Sequence, residues 1–204
     1  MIGAFLLQRL LQHSLYTHVR AWARKPLAVS HQKLAVDVLD FGKLHEHRVS
    51  ADDVYCCLGT TIKQAGSQAA FRRVDFDYVV GLAAAAARDG AKRLLVVSSL
   101  GADARSGVFY NRVKGEMEEA VRAAGVARTL IFRPSLLSGP RAEYRTGERI
   151  GLVVGSVLGP LLGRYRPIHG DLVAAAMLRA ALDDLPSQVF ESQQIRALAQ
   201  SRSS

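Results

Sequence analysis

The chain has 204 residues, of which 49% are hydrophobic and 22% charged, and it carries a formal net charge of +9. That length and balance suit one soluble globular domain with a sizeable core. The basic excess is scattered: its densest groups, Arg20…Arg24-Lys25, Arg72-Arg73 and Arg141…Arg149, form no stripe interleaved with aromatics, which argues against a nucleic-acid reader. A phosphate-rich cofactor or an anionic substrate accounts for some of the charge equally well.

The first fifteen residues are apolar with Arg9 and His13 interspersed, without a charged region ahead of the apolar part or a small-residue cleavage site. They read as a helix over Gly3–Ser14 rather than a targeting segment. From residue 17 onward, short apolar runs alternate with amphipathic stretches, the pattern of βαβ units around a parallel sheet. Strands are predicted at Val19–Ala23, Leu34–Val38 and Val54–Leu58, the last opening into the small polar turn Gly59-Thr60-Thr61. A long helix is predicted over Phe71–Arg88, stopped by Gly90. A strand at Leu94–Ser98, a helix over Phe109–Ala124 and a strand at Thr129–Phe132 follow. Beyond Arg133-Pro134 the pattern loosens into a Gly- and Pro-rich stretch over 139–170. A helix over Asp171–Leu182, a late strand at Val189–Glu191 and a frayed tail over Gln200–Ser204 complete the chain.

Leu152–Gly163 is too short and too broken by Gly and Pro to span a membrane. The two cysteines, Cys56-Cys57, are neighbours on a strand and point to opposite faces, so a disulfide between them is not expected, and without His partners they make no metal site. Buried thiols in a reducing compartment, and hence a cytoplasmic protein, are the expectation.

The chemistry concentrates in Tyr110-Asn111-Arg112-Val113-Lys114, shortly after Ser98-Ser99. On a helix, Tyr110 and Lys114 are i and i+4 and share a face. A phenol beside an ammonium has its anion favoured and can exchange a proton with a substrate oxygen, which a serine at the end of the preceding strand can also hydrogen-bond. This pattern belongs to ketone/alcohol oxidoreductases that work with a nicotinamide cofactor. The bland alternative is a surface Tyr and Lys on an amphipathic helix.

Arg24, Cys57-Leu58-Gly59-Thr60-Thr61, Val74-Asp75, Ser98-Ser99-Leu100-Gly101-Ala102, Tyr110-x-x-x-Lys114 and Arg133-Pro134 occur in an order that resembles the extended or atypical short-chain dehydrogenase/reductases. More narrowly, the chain is similar to the Tat-interacting-protein-like oxidoreductases and their bacterial relatives, over residues 3 to 182. The resemblance implies a Rossmann-like doubly wound parallel sheet, with NADP or NAD lying across the carboxyl ends of the strands. On this basis the chain is expected to be one NAD(P)-binding domain, with residues 1–134 on the cofactor side and 135–204 forming a small substrate-side part.

The resemblance also implies roles. Tyr110 is the proton donor or acceptor. Lys114 holds the nicotinamide ribose and lowers the pKa of Tyr110, and Ser99, ahead of Ser98, orients the substrate carbonyl. Gly3, Leu58, Gly59, Thr60, Arg133 and Pro134 border the cofactor, and 135–170 lines the substrate pocket. Arg24, with Lys25, sits where an adenosine 2′-phosphate would be read, which favours NADP; a solvated basic turn is the alternative. Asp40 either contacts the adenine or caps a turn. A small carbonyl or alcohol substrate and a homodimer through the helices over 71–88 and 109–124 are expected by analogy. A cofactor-sensing scaffold that acts through a protein partner is the rival reading.

One departure stands out. The family opens with a strand and a Gly-x-x-Gly-x-x-Gly turn, whereas Met1-Ile2-Gly3 is in register with the last of those glycines. The missing strand would lie between those at 19–23 and 54–58, leaving both facing a gap. A native start about ten to fifteen residues earlier, one strand and its turn, is the expectation; the alternative is that Met1 is the real start of a degenerate relative that binds nucleotide poorly.

Overall fold

The computed structural model describes residues 1–138 and 165–201. The predicted Gly/Pro-rich stretch and pocket lining over 139–164, and the last three residues of the tail, lie outside them. In chain order the elements are α1 (Ile2–Gln12), β1 (Val19–Ala23), β2 (Leu34–Val38), a 3-10 segment (Phe41–Glu46), β3 (Asp53–Cys56) and the short α2 (Ile62–Ala65). Then come α3 (Gln68–Arg72), a π-helical turn (Arg73–Asp77) and α4 (Tyr78–Arg88), which together form the long predicted helix. It starts earlier than expected because Ser67 caps it, accepting from the Ala70 N–H. β4 (Arg93–Val97), α5 (Phe109–Ala123), β5 (Arg128–Arg133), the two-residue β6 (Leu137–Ser138) and β7 (Ile168–His169), α6 (Gly170–Leu182), β8 (Gln188–Glu191) and α7 (Ser192–Gln200) follow.

β3, β4, β5 and β8 form one all-parallel sheet in that order, while β1 and β2 pair parallel in a separate ribbon. The strands of the four-stranded sheet are apolar on both faces because helices cover both. Leu95, Leu130 and Phe132 pack with α1, α6 and α7; Leu94, Val96 and Ile131 pack on the other side with α4 and α5. Phe132 stacks on Phe190 of β8 with centroids 4.9 Å apart. This is the expected doubly wound α/β architecture. The late strand belongs to the main sheet, and the helix after it, α7, was not read from the sequence. Its signal is a capping box: the Glu191 N–H donates to Gln194 Oε1 at 2.8 Å, and the Glu191 side chain accepts from the Gln194 N–H.

At the amino ends of the strands a polar cluster ties the layers together. Arg93 donates to Asp53 at 2.5 Å and to the Ala181 carbonyl at 3.0 Å, and the Tyr16 hydroxyl donates to Asp53 at 2.7 Å. The carboxyl ends are thereby left for chemistry.

β1 and β3 are not paired with each other. Between them, under α1, lies a cavity of about 1110 Å³ lined by Leu6, Leu10, Ala21, Ala23, Tyr55 and Cys57 among others. Among the described residues neither flanking strand is paired on the edge that faces it. A strand-shaped, mostly apolar slot should accept a strand. Appending an extended apolar segment of about six residues plus a glycine turn ahead of Met1 should therefore raise the thermal midpoint by several degrees, roughly what 1–2 kcal/mol gives in a domain this size. An unchanged midpoint in calorimetry would show that the slot closes on itself.

Candidate functional site

Five strands, β1 to β5, hand their predicted site residues to the same end of the fold. Arg24-Lys25 follow β1, Asp40 follows β2, Leu58-Gly59-Thr60 follow β3, Ser98-Ser99 follow β4, and Pro134 follows β5. In a parallel sheet these carboxyl ends share one rim, where open α/β folds bind their ligands.

Tyr110 and Lys114 stand one turn apart near the start of α5. Phe71, fully buried, packs its ring 5.2 Å from that of Tyr110 and fixes the phenol's apolar side. Lys114 is only 3% exposed, and its Nζ lies 2.8 Å from Asp75 Oδ1, itself on a residue 1% exposed. Burial pulls the ammonium's pKa down, but the Asp75 carboxylate and the neighbouring Tyr110 phenol outweigh it, so Lys114 ends above the ordinary lysine value and stays charged. The other Asp75 oxygen accepts the Thr60 N–H at 2.8 Å. Below this pair, Cys56 is fully buried, and desolvation pushes its thiol up to about 11, which keeps it neutral and unreactive near neutral pH.

The two serines part company. Ser98 is buried and donates to Glu118 Oε1 at 2.5 Å. Glu118, also buried, accepts from Arg133 at 2.8 and 2.6 Å, and Arg133 reaches Glu191 at 3.1 Å. The Ser98 hydroxyl and the Arg133 guanidinium are thus committed to a network that pins β4, α5, β5 and β8 together at the rim. Ser99 is half-buried, and among the described residues its hydroxyl makes only a long 3.4 Å contact, to the Leu100 carbonyl.

The Ser99 loop is held against α5. Ser99-Leu100-Gly101-Ala102 forms a turn closed by the Ala102 N–H on the Ser99 carbonyl at 3.1 Å, and Gly101 takes φ +82, the left-handed value a type II turn demands. Asp103 N–H donates to the Asn111 carbonyl at 3.1 Å. Gly115 completes the fit: a Cβ there would overlap the backbone of Asp103 and Ala104.

The remaining predicted residues stand as follows. Gly3, in the first turn of α1, lies close over β3's end, where an added Cβ would stand 3.3 Å from Cys57 Cβ. α1 has no side-chain cap and no acidic residue in its first turn, so its leading N–H groups remain suited to an anion. Asp40 caps the 3-10 segment by accepting the Gly42 N–H at 2.8 Å. Arg24 and Lys25 are exposed and, among the described residues, without a carboxylate partner.

Two residues central to this site were missed as such, Asp75 and Glu118. Their signal was available: each is an acid on a largely apolar helical stripe, Asp75 with Phe71 and Val79, Glu118 with Gly115 and Val121. A buried acid on such a stripe demands a partner.

The NAD(P)H-binding family matches residues 1–184. The chain belongs to that family. It is an atypical short-chain dehydrogenase/reductase: 38% identical over 152 residues to Protein HTATIP2 of Rattus norvegicus, covering 72% of this chain and 62% of that protein. It is 32% identical over 201 residues to Protein fmp52, mitochondrial, of Emericella nidulans, covering 93% of this chain and 86% of that one. The chain thus spans less than two thirds of the rat protein and most of the fungal one. Among solved structures, MoeE5 in complex with UDP-glucose and NAD superposes with a TM-score of 0.66 at 16% identity, over 97% of this chain and 77% of that one. The likeness shows the shared fold.

The cytoplasmic expectation is corrected by the fungal relatives, which are named mitochondrial. Reduced thiols report a redox environment and not an address, so they never carried that conclusion. Among the described residues no helix is long and apolar enough to cross a membrane.

The donors at the rim fit a nicotinamide dinucleotide: uncapped N–H groups at α1, a glycine turn after β3, a buried charged lysine and two uncommitted cations. Because the loop carrying Ser99 touches α5 at Gly115, Gly115→Ala should destabilise the protein by about 1–3 kcal/mol, the usual cost of overpacking. Alanine's better helix propensity, worth roughly 1 kcal/mol, acts in the opposite direction. Urea unfolding reads the balance; an unchanged or higher midpoint would mean that the loop does not rest on the helix.

Proposed function

We propose that the protein is an NAD(P)-dependent oxidoreductase that interconverts a small carbonyl compound and its alcohol, with NADP as the favoured cofactor. The observation that carries this reading is the charged Lys114, buried at the rim one helical turn from Tyr110 on the same helix. A buried ammonium is retained at a cost and is explained by a site that uses it.

When bound, the nicotinamide supplies or accepts the hydride at the substrate carbon. Tyr110 Oη gives a proton to the substrate oxygen in the reducing direction and takes it back in the oxidising one. Lys114 is ion-paired with Asp75, and its N–H donors suit ribose hydroxyls. Ser99, whose hydroxyl is not bound into the Glu118 network, hydrogen-bonds the substrate oxygen and orients the carbonyl, whereas Ser98 and the Arg133 side chain brace the rim. Arg24 and Lys25 receive the 2′-phosphate, which supports NADP over NAD. Pro134 and the backbone of Gly59 and Thr60 shape the cofactor's bed.

Assayed with NADPH against a panel of small aldehydes and ketones, Tyr110→Phe should lower turnover by about 100-fold or more while leaving the NADPH Kd nearly unchanged. Equal turnover in the variant would remove Tyr110 from the chemistry and favour the sensor reading, in which bound cofactor regulates a protein contact. Arg24→Ala should weaken NADPH binding about tenfold and leave NADH binding alone. Equal losses for both cofactors, measured by fluorescence titration, would show that Arg24 does not read the phosphate.

A further inference from the structure

Asp75 has no role in the Tyr-x-x-x-Lys chemistry, yet its buried carboxylate touches both Lys114 and the turn after β3. It sits in the π-helical turn Arg73–Asp77 between α3 and α4. Such turns insert a residue into the helical ladder and are frequent at functional sites. One oxygen holds Lys114 Nζ and the other accepts the Thr60 N–H, each at 2.8 Å. The turn above is packed down on it: a Cβ on Gly59 would stand 3.4 Å from Asp75 Oδ1. The other titratable groups facing Lys114 are Tyr110 from its own helix and Cys56 from β3, so Asp75 is the carboxylate that neutralises it.

We propose that Asp75 is a positioning residue that latches Lys114 of α5 to the Gly59-Thr60 turn of β3, so that the cofactor ribose and the turn beneath the cofactor are set by one carboxylate. The inference rests on the NAD(P) reading above. Its logic is a matter of donors and acceptors. The Lys114 ammonium needs a negative charge beside it and the Thr60 N–H needs an acceptor, and a carboxylate supplies both at once. Asparagine has the same shape but one acceptor, and its NH₂ would face a donor on one side or the other. The carboxylate also keeps the buried ammonium charged across the physiological range. Without it, burial is opposed only by the weaker influence of Tyr110 and Cys56 and lowers the Lys114 pKa, so the charge is fully present at low pH and lost as pH rises.

The test is NADPH binding by fluorescence titration from pH 6 to pH 10, for the wild type, Asp75→Asn, Lys114→Met and the double variant. The wild-type Kd should be flat over this range. Asp75→Asn should bind more weakly at every pH and lose a further factor of about ten between pH 7 and pH 9 as Lys114 deprotonates. The double variant should bind no worse than Lys114→Met alone, because the two residues act as a unit. An Asp75→Asn profile that is as flat as wild type, whether or not affinity drops, would overturn the latch and leave Asp75 a packing residue. Should Asp75→Asn fail to fold, the double variant decides: recovered folding supports the coupled pair, and continued unfolding overturns it. If the wild type binds neither NADPH nor NADH, the oxidoreductase reading fails and the latch with it. Nucleotide binding with a pH-independent Asp75→Asn removes the latch alone.

Discussion

An ionised group inside a protein must be answered by another, and the carboxyl rim of this sheet is organised by two such answers. Asp75 and Glu118 are each about 1% exposed, and both come from helices on the same face of the sheet. Glu118 gathers the ends of β4, β5 and β8 through Ser98, Arg133 and Arg133's contact with Glu191. Asp75 gathers the end of β3 and the start of α5 through Thr60 and Lys114. Removing one partner of a buried pair leaves an uncompensated charge at a cost of about 3–5 kcal/mol, so the rim is held by interactions that do not fail gradually. Such a frame suits a site in which a hydride donor, a proton donor and a carbonyl have to be held in mutual register.

The two networks divide residues that look alike in the sequence. Ser98 and Ser99 are adjacent, but alternation along the strand turns the first toward the helix that carries Glu118 and leaves the second on the loop beyond. Arg24 and Arg133 both follow strands; one is exposed at the end of the β1–β2 ribbon and the other spends its guanidinium on two carboxylates. The amino ends of the strands carry a third cluster, around Arg93 and Asp53, that belongs to cohesion between layers. Cohesion at one end and ligand-facing groups at the other is the usual division of labour in an open parallel sheet.

The slot between β1 and β3 separates two strands that are not paired with each other. A parallel sheet needs every central strand paired on both edges, because buried N–H and C=O groups find no water there. The ribbon and the four-stranded sheet lie on either side of a cavity of about 1110 Å³, and the helices packed on both faces of the larger sheet bury their apolar stripes. The position of α1, docked on α6 and over β3's end, is therefore set by packing even where the ladder is interrupted.

Most of the architecture was legible in the sequence because it is written in local terms. Strand-length apolar runs, amphipathic helices and the glycines that end them repeat with a period that only a βαβ sheet satisfies, and the order of the motifs points to the cofactor rim. The helix over 192–200 is faint in the sequence because its apolar face is short and its main signal is a glutamate-glutamine capping box. Partnership was beyond the sequence's reach. Which serine is free, which arginine is spent and which acid holds Lys114 depend on contacts between residues 15 to 58 positions apart along the chain. The sequence by itself determined the periodicities, and with them the sheet, its helices and the rim. Only the tertiary structure decided the pairing of buried charges, because a charge chooses its partner by distance in space, and that distance exists only once the layers have closed.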